Sequence, residues 1–185
     1  MRIISGKSRG TKLNTIDSSA TRPTTDRVKE SLFNIIRNYI EDAKVLDLFA
    51  GSGALGIECI SRGCAESFFC DNSAEAIKMV EQNIKKIRAG SVARVLKADY
   101  KQAIEKFENE KFDIIFIDPP YRMNIATDAI ERIVQKKILN KNGIIILETD
   151  EKEREIRQLE NINIEIYDTR KYGKINLIFL CAKGE

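Results

Sequence analysis

The residues best suited to chemistry in this sequence are Asp118, Pro119, Pro120 and Tyr121, which directly follow the apolar run 112–117. The run is typical of a buried strand, and open α/β sheets bind ligands where such strands end. Asp118 offers a hydrogen-bond acceptor and Tyr121 a flat face for a flipped base, while the two prolines stiffen the turn between them. These residue types suit methyl transfer to an exocyclic base nitrogen, because that amine is a poor nucleophile whose N–H groups must be held while it attacks. Taken alone, the four residues are also compatible with a structural strand exit.

A glycine turn upstream indicates a nucleotide-like cofactor. Gly51, Gly53 and Gly56 form a G-x-G-x-x-G pattern after a predicted strand, and Asp71 lies 20 residues beyond Gly51, where a carboxylate would bind ribose hydroxyls. Asp47 stands just before the glycines. Its charge would repel a pyrophosphate but would bind the ammonium group of S-adenosylmethionine. The pattern therefore favours S-adenosylmethionine over a nicotinamide cofactor.

Three further residues complete the predicted cofactor site. Phe49 lies beside the glycine turn, and Asn72 follows Asp71. Asp99 comes after another predicted strand and is a candidate acceptor for the adenine amine. The alternatives are a helix N-cap for Asp71, a role that Asn72 or Ser73 could also fill, and an ordinary surface loop for Asp99.

The composition excludes several classes of site. The chain has no histidine, and its four cysteines form no Cys-x-x-Cys pair, so zinc sites and histidine-based nucleophilic catalysis lose their usual residues. No metal is expected. The longest apolar run, 177–182, has six residues, far fewer than a membrane span requires. The sequence also has no apparent signal peptide, so we expect a cytoplasmic protein without membrane contact.

The basic residues are unevenly placed. The net charge is only +3, but residues 1–12 contain four basic residues and no acid. We assign these residues and one in a later motif to RNA binding: Arg2, Lys7, Arg9, Lys12 and Arg22. A solvated basic segment without a partner is the alternative.

Hydrophobic periodicity predicts alternating helices and strands. Strands are predicted at 44–49, 67–71, 92–97, 112–117, 143–148, 162–168 and 174–182. Helices are predicted at 25–40, 54–62, 73–88, 125–137 and 150–159. Such alternation indicates an α/β fold with a mostly parallel sheet, and the short final connection indicates an antiparallel hairpin. This is the layout of the seven-stranded, Rossmann-like methyltransferase fold, with residues 1–20 as an N-terminal basic arm or hairpin and residues 21–185 as the single methyltransferase domain.

Several segments together resemble those of a known family, the bacterial small-subunit rRNA guanine-N2 methyltransferases of the RsmD type. They are MRIISGK at 1–7, TRPTTDRVKESLFNI at 21–35, DLFAGSGALGIE at 47–58, DPPY at 118–121 and KYG at 171–173. The order and spacing of these segments are more specific than any one of them.

The resemblance implies methyl transfer from S-adenosylmethionine to N2 of a guanine in 16S rRNA of the small ribosomal subunit. It also implies cofactor contacts from Asp47 and the glycine turn, and target-amine contacts from Asp118 and Tyr121. Asp71 stands where relatives commonly have Glu. A monomer is the expected oligomeric state.

Three alternatives remain open from the sequence. An adenine-N6 DNA methyltransferase could use the same Asp-Pro-Pro-Tyr motif, although the catalytic fold leaves little length for a domain that reads duplex DNA. A nicotinamide oxidoreductase could use the glycine turn. The chain could also be a non-catalytic RNA-binding ribosome-assembly factor with a vestigial cofactor pocket.

Overall fold

The computed structural model of the protein describes residues 1–15, 26–120 and 125–183. In these ranges the strands are β1 (Lys44–Asp47), β2 (Glu66–Asp71), β3 (Ala93–Lys97), β4 (Phe112–Ile117), β5 (Leu139–Thr149), β6 (Ile164–Tyr172) and β7 (Ile175–Ala182). The helices are α1 (Asp26–Ile35), α2 (Ala54–Arg62), α3 (Ala74–Lys86), α4 (Tyr100–Lys106), α5 (Ala126–Lys136) and α6 (Lys152–Leu159), with a 3₁₀ turn at Arg37–Tyr39.

The strands form one seven-stranded sheet in the order β3-β2-β1-β4-β5-β7-β6. Strands β1 to β5 run parallel, whereas β7 is antiparallel to both β5 and β6. The predicted fold class is therefore confirmed, including the antiparallel hairpin that closes the sheet. The parallel strands bring the ends of β1, β2, β4 and β5 to one edge of the sheet.

Helices cover both faces of the sheet. Buried apolar residues of α4, α5 and α6 pack on one face, and those of α1 and α2 pack on the other. A third cluster joins α2 and α3 to β2 and to the N-terminal segment. Because both faces are covered, the central strands β1, β2, β4 and β7 are buried along most of their length, whereas the edge strands β3 and β6 are not.

Several elements differ from the sequence-based prediction. Strand β5 begins at Leu139, not at residue 143, and β6 continues to Tyr172, not only to residue 168, so the final connection is shorter than predicted. The first helix ends at Ile35 and is followed by the 3₁₀ turn, so it does not continue as one helix to residue 40. Helix α4 was not predicted. It has only seven residues and starts at a capping box in which Asp99 and Gln102 each bond the other's backbone.

Residues 1–15 fold back on themselves and pack against the helical layer. Arg2 and Lys12 form an antiparallel bridge. Ile3 and Leu13 are buried, with 1% and 3% of their surface exposed, in the cluster that contains Ile57 of α2. This N-terminal hairpin is thus part of the packed body of the protein.

A buried ion pair connects the hairpin to two helices. Lys29 of α1 lies 2.9 Å from Glu58 of α2, and both side chains are fully buried. Glu58 also accepts hydrogen bonds from the backbone N–H groups of Ile4 and Ser5, at 2.8 and 3.0 Å, and from Arg62. Burial lowers the pKa of Lys29. Burial would raise the pKa of Glu58, but Lys29 and these donors lower it, so the carboxylate is charged and well compensated.

The contact between the hairpin and α2 depends on Gly6. A Cβ atom on Gly6 would lie 1.8 Å from the Ser61 carbonyl oxygen, and the φ angle of Gly6 is +83°. Gly10 has almost the same φ, +84°, but a Cβ atom there would meet nothing within 4 Å. An alanine at position 6 would therefore add both backbone strain and steric overlap, whereas an alanine at position 10 would add backbone strain alone.

We expect Gly6→Ala to destabilise the protein more than Gly10→Ala. Both changes carry the positive-φ cost of about 1 kcal/mol, but only Gly6→Ala forces the hairpin away from α2, at a further cost of about 1–3 kcal/mol. Denaturant unfolding of both variants measures the difference. Equal losses of unfolding free energy would contradict the close packing of the hairpin on α2.

Candidate active site

Four acidic side chains meet at one edge of the sheet. Asp47 ends β1 and Asp71 ends β2, while Asp118 directly follows β4. Because Ile117 of β4 pairs with Leu147 of β5, Asp118 and Glu148 occupy the next positions on adjacent strands. The fold thus brings together three of the four acids that the sequence analysis assigned to cofactor and target binding; the fourth, Asp99, lies at the start of α4.

The glycine turn lets α2 approach β2 closely. Gly51 and Gly53 have φ angles of +53° and +77°, which favour glycine. A Cβ atom on Gly56 would lie 2.4 Å from the Phe69 ring and 2.7 Å from the Ser67 hydroxyl. Only glycine therefore fits at position 56 without a shift of the helix.

Asp47 is a buried carboxyl group beneath this turn. Only 2% of the residue is exposed, and the backbone N–H of Gly56 donates to Asp47 Oδ2 at 3.2 Å. Burial raises the pKa of Asp47 to about 7, and the nearby Asp71 adds to this effect. A cation placed at this edge would favour the charged form of Asp47.

Asp71 connects the glycine turn to the end of β2. Its carboxylate accepts hydrogen bonds from the backbone N–H groups of Gly51 and Ser73, both at 2.9 Å. Each carboxylate oxygen has a further lone pair, so the group is oriented and can still accept from a ligand. Asn72 is exposed beside it. Ser73, not Asn72, caps α3.

Asp99 and Phe49 lie near the start of α4. Asp99 caps this helix by accepting from the Gln102 N–H at 2.9 Å, so part of its hydrogen-bonding capacity is used structurally. The ring centroids of Phe49 and Tyr100 are 5.8 Å apart. Tyr100, which the sequence reading did not assign to the site, donates to Asp128 at 2.6 Å. Tyr100, Ala103 and Ile104 have helical spacing, but over only seven residues this signal is weak.

Asp118, the predicted catalytic acceptor, lies directly after the last residue of β4. Burial of its carboxyl group raises its pKa well above the usual value, and Glu148 and Asp47 raise it further. Pro119 is partly buried and Pro120 is exposed. Tyr121 lies outside the described residues.

Glu148 is the acidic residue that the sequence reading missed. It lies on β5 with 5% of its surface exposed and interacts electrostatically with Asp118. The signal was available, because Glu148 ends the apolar run of β5 at the same edge as Asp118. In the described ranges of the chain, no group of three or more acidic or cysteine side chains is arranged to hold a metal ion.

The basic residues assigned to RNA lie on the hairpin surface. Arg2, Lys7, Arg9 and Lys12 are exposed, and Arg2 forms an ion pair with Asp26 at 3.2 Å. Arg22 lies outside the described residues. Among the helices of the described segments, none is long and apolar enough to cross a membrane.

The sheet order, the glycine turn after β1 and the acids at the strand ends define the fold class of S-adenosylmethionine-dependent methyltransferases. The solved yhhF structure from Escherichia coli has the same fold, with a TM-score of 0.83 and 29% identity over 100% of this chain and 99% of that one.

The family follows from the sequence comparison. A family model described as Conserved hypothetical protein 95 matches residues 1–181, and the chain belongs to that family, which confirms the resemblance to RsmD-type proteins. The YlbH protein of Bacillus subtilis (strain 168) is 38% identical over 188 residues that cover 100% of each chain. Ribosomal RNA small subunit methyltransferase D of Escherichia coli (strain K12) is 36% identical over 150 residues, which cover 81% of this chain and 75% of that protein.

The raised pKa of Asp47 has a testable effect on stability. The folded-state pKa is about 7 against an ordinary value of 3.8, so between these pH values the folded state binds more protons than the unfolded state. The free energy of unfolding therefore falls as pH rises from about 4 to about 7. Asn at position 47 keeps an acceptor for the Gly56 N–H but cannot ionise. Without ligand, we expect Asp47→Asn to be more stable than the wild type at pH 8, on the order of 2–4 kcal/mol, and similar at pH 4.

Denaturant unfolding at both pH values measures this effect. The matched control is Glu41→Gln, which removes an exposed carboxylate and should change stability little at either pH. A destabilised Asp47→Asn variant at pH 8 would contradict the burial of an uncompensated charge.

Proposed function

We propose that this protein transfers a methyl group from S-adenosylmethionine to the exocyclic N2 of a guanine in 16S rRNA of the small ribosomal subunit. The observation that carries the proposal is the position of Asp118 and its two prolines, directly after β4 and between Asp47 of β1 and Glu148 of β5. The name of the Escherichia coli relative supports an rRNA substrate.

The residues at the sheet edge fit S-adenosylmethionine. This cofactor carries a sulfonium and an ammonium group and has no phosphate. Asp47 would hold the ammonium group, since a cation there compensates a carboxylate that burial otherwise keeps partly protonated. Asp71 would bind the ribose hydroxyls, and Phe49, Asn72 and Asp99 would line the adenine side. The same acids disfavour the pyrophosphate of a nicotinamide cofactor.

The bound cofactor would supply an electrophilic methyl group. Asp118 would accept an N–H of the guanine amine and orient the nitrogen lone pair for attack. The methylated nitrogen is cationic and loses its proton readily, so Asp118 need not be a strong base. Tyr121 would stack on the flipped guanine.

Cofactor binding should release protons near neutral pH. Asp47, with a pKa of about 7, is about half protonated at pH 7, and an ammonium partner would drive it to the charged form. Calorimetry with S-adenosylmethionine in buffers of different ionisation enthalpy measures this release. It should be smaller in Asp47→Asn, and equal release in both proteins would remove Asp47 from the ammonium contact.

Substitutions of Asp118 and Asp71 should affect different properties: the rate of methylation for Asp118 and the affinity for the cofactor for Asp71. Asp118→Ala should lower single-turnover methylation by about 100-fold or more, because it removes a contact made in the transition state, while cofactor affinity is nearly unchanged. Asp71→Ala should weaken S-adenosylmethionine binding by about 10- to 100-fold, as expected for loss of a charge-assisted hydrogen bond. A rate within about threefold of wild type for Asp118→Ala would exclude the catalytic assignment.

The base can be identified by mass spectrometry of rRNA. Small subunits from cells that lack the protein should gain one N2-methylguanosine when incubated with the purified protein and S-adenosylmethionine. Methylated adenine in DNA would instead indicate the adenine-N6 alternative. RNA binding without any methylation would indicate the assembly-factor alternative.

A further inference from the structure

An open groove of about 500 Å³ lies between α3 and β3, away from the acidic edge described above. Its apolar lining comes from Ile84, Ala93 and Val95, and its charged lining is formed by Glu81, Lys85 and Arg88. The lining thus combines an apolar floor with one acidic and two cationic side chains, a net positive charge. This is a surface suited to an anionic chain that also has apolar faces.

The charge around the groove contrasts with the rest of the chain. Residues 76–98, which include most of α3 and all of β3, contain six basic residues and one acid. With residues 1–15, the total is ten basic residues and one acid, although the net charge of the whole chain is only +3. The remainder of the chain is therefore net negative, and positive charge is concentrated on these two segments.

The two basic segments are in direct contact. Lys86 of α3 donates to the Lys12 carbonyl at 3.0 Å and to the Asn14 side chain at 2.6 Å. Asn83 of the same helix bonds both the N–H and the carbonyl of Asn14. The basic hairpin is thus fixed directly beside the end of α3 from which Lys85 and Arg88 extend.

The charges in the groove are available to a ligand. Arg94 of β3 is paired with Glu66 at 2.9 Å. Within the described segments, by contrast, the ion pairs include neither Lys85 nor Arg88. Strand β3 is also an outer strand of the sheet, so the N–H and C=O groups on its unpaired side can form hydrogen bonds with a ligand.

We propose that this groove binds a segment of the substrate RNA, with Lys85 and Arg88 on its phosphates and with sugar or base faces on the floor formed by Ile84 and Val95. The inference rests on the proposed function, since it requires that the substrate is RNA. It adds a docking surface beyond the hairpin. Such a surface would hold the RNA while a guanine is flipped into the site, which costs a few kcal/mol.

Positive charge favours RNA over the other occupants of an open edge. A second copy of the chain could add a strand to β3, and a ribosomal protein could fill the apolar floor. Neither requires a concentration of cations, whereas the phosphate backbone does.

The test is the double variant Lys85→Gln with Arg88→Gln. Its matched control is Lys106→Gln with Lys141→Gln, which removes the same charge at exposed positions on α4 and at the start of β5. Association with small ribosomal subunits, isolated from cells that lack the protein, is measured over a range of salt concentrations. Two lost phosphate contacts should lower the salt slope by about 1.4, at roughly 0.7 per contact for single-stranded RNA. The control should keep the wild-type slope.

Kinetics and cofactor binding separate docking from chemistry. The double variant should raise KM for the subunit while leaving kcat and S-adenosylmethionine affinity unchanged. If the double variant binds cofactor normally and its salt slope for subunit association equals that of the wild type, the groove assignment is wrong but the proposed function is not affected. If the wild type neither binds nor methylates the subunits, both the groove and the proposed function fail.

Two further measurements test whether a ribosomal protein or a second copy of the chain occupies the groove instead of RNA. The slope difference should persist with 16S rRNA stripped of proteins, and its disappearance would assign the groove to a ribosomal protein. Sedimentation should show no mass change between wild type and double variant. A wild-type dimer that the double variant loses would assign the groove to a second copy and overturn the RNA proposal.

Discussion

The close approach of α2 to β2 is the constraint on which the rest of the structure depends. It requires the absence of a side chain at Gly56, because a Cβ atom would overlap the Phe69 ring. With the helix in this position, the Gly56 N–H reaches the buried Asp47. The other end of the same helix carries Glu58 and Ser61, which hold the N-terminal hairpin. One helix thus positions both the glycine turn and the basic hairpin, and a shift of α2 would disturb both.

The buried carboxyl groups of the candidate site lower the stability of the fold, whereas the charge of the buried Glu58 is compensated. Asp47 and Asp118 are held where burial and neighbouring acids raise their pKa values, which costs stability in the absence of a cation. Glu58 is as deeply buried, but Lys29, Arg62 and two backbone N–H groups compensate its charge. Buried carboxyl groups beside other acids on a sheet edge are typical of a site that binds a positively charged ligand. The basic surface that we propose for RNA lies on the hairpin and α3, apart from these acids.

The fold could be predicted from the sequence because periodicity and strand-end position are local signals. The same rules placed Asp47, Asp71 and Asp118 at one edge. Other features depend on tertiary contacts or short segments. Helix α4 has seven residues, too few for a strong periodic signal. The end of an apolar run marks Glu148 in the sequence, but its position beside Asp118 depends on the β4–β5 register. The role of Asp99 as a helix cap depends on the missed helix α4.

The packing of the hairpin also determines how its RNA role can be tested. Deleting residues 1–15 would remove Ile3 and Leu13 from the apolar cluster on α2 and α3. It would also leave Glu58 without two of its N–H donors. Each loss destabilises the fold, so weaker RNA binding by the truncated protein would have two possible causes. Neutralising Lys7 and Arg9 avoids this problem, because both side chains are exposed at the tip of the hairpin. If the hairpin contacts phosphates, this double change lowers the salt slope by about 1.4 at unchanged melting temperature. An unchanged slope would leave the hairpin as a structural element that covers α2 and α3.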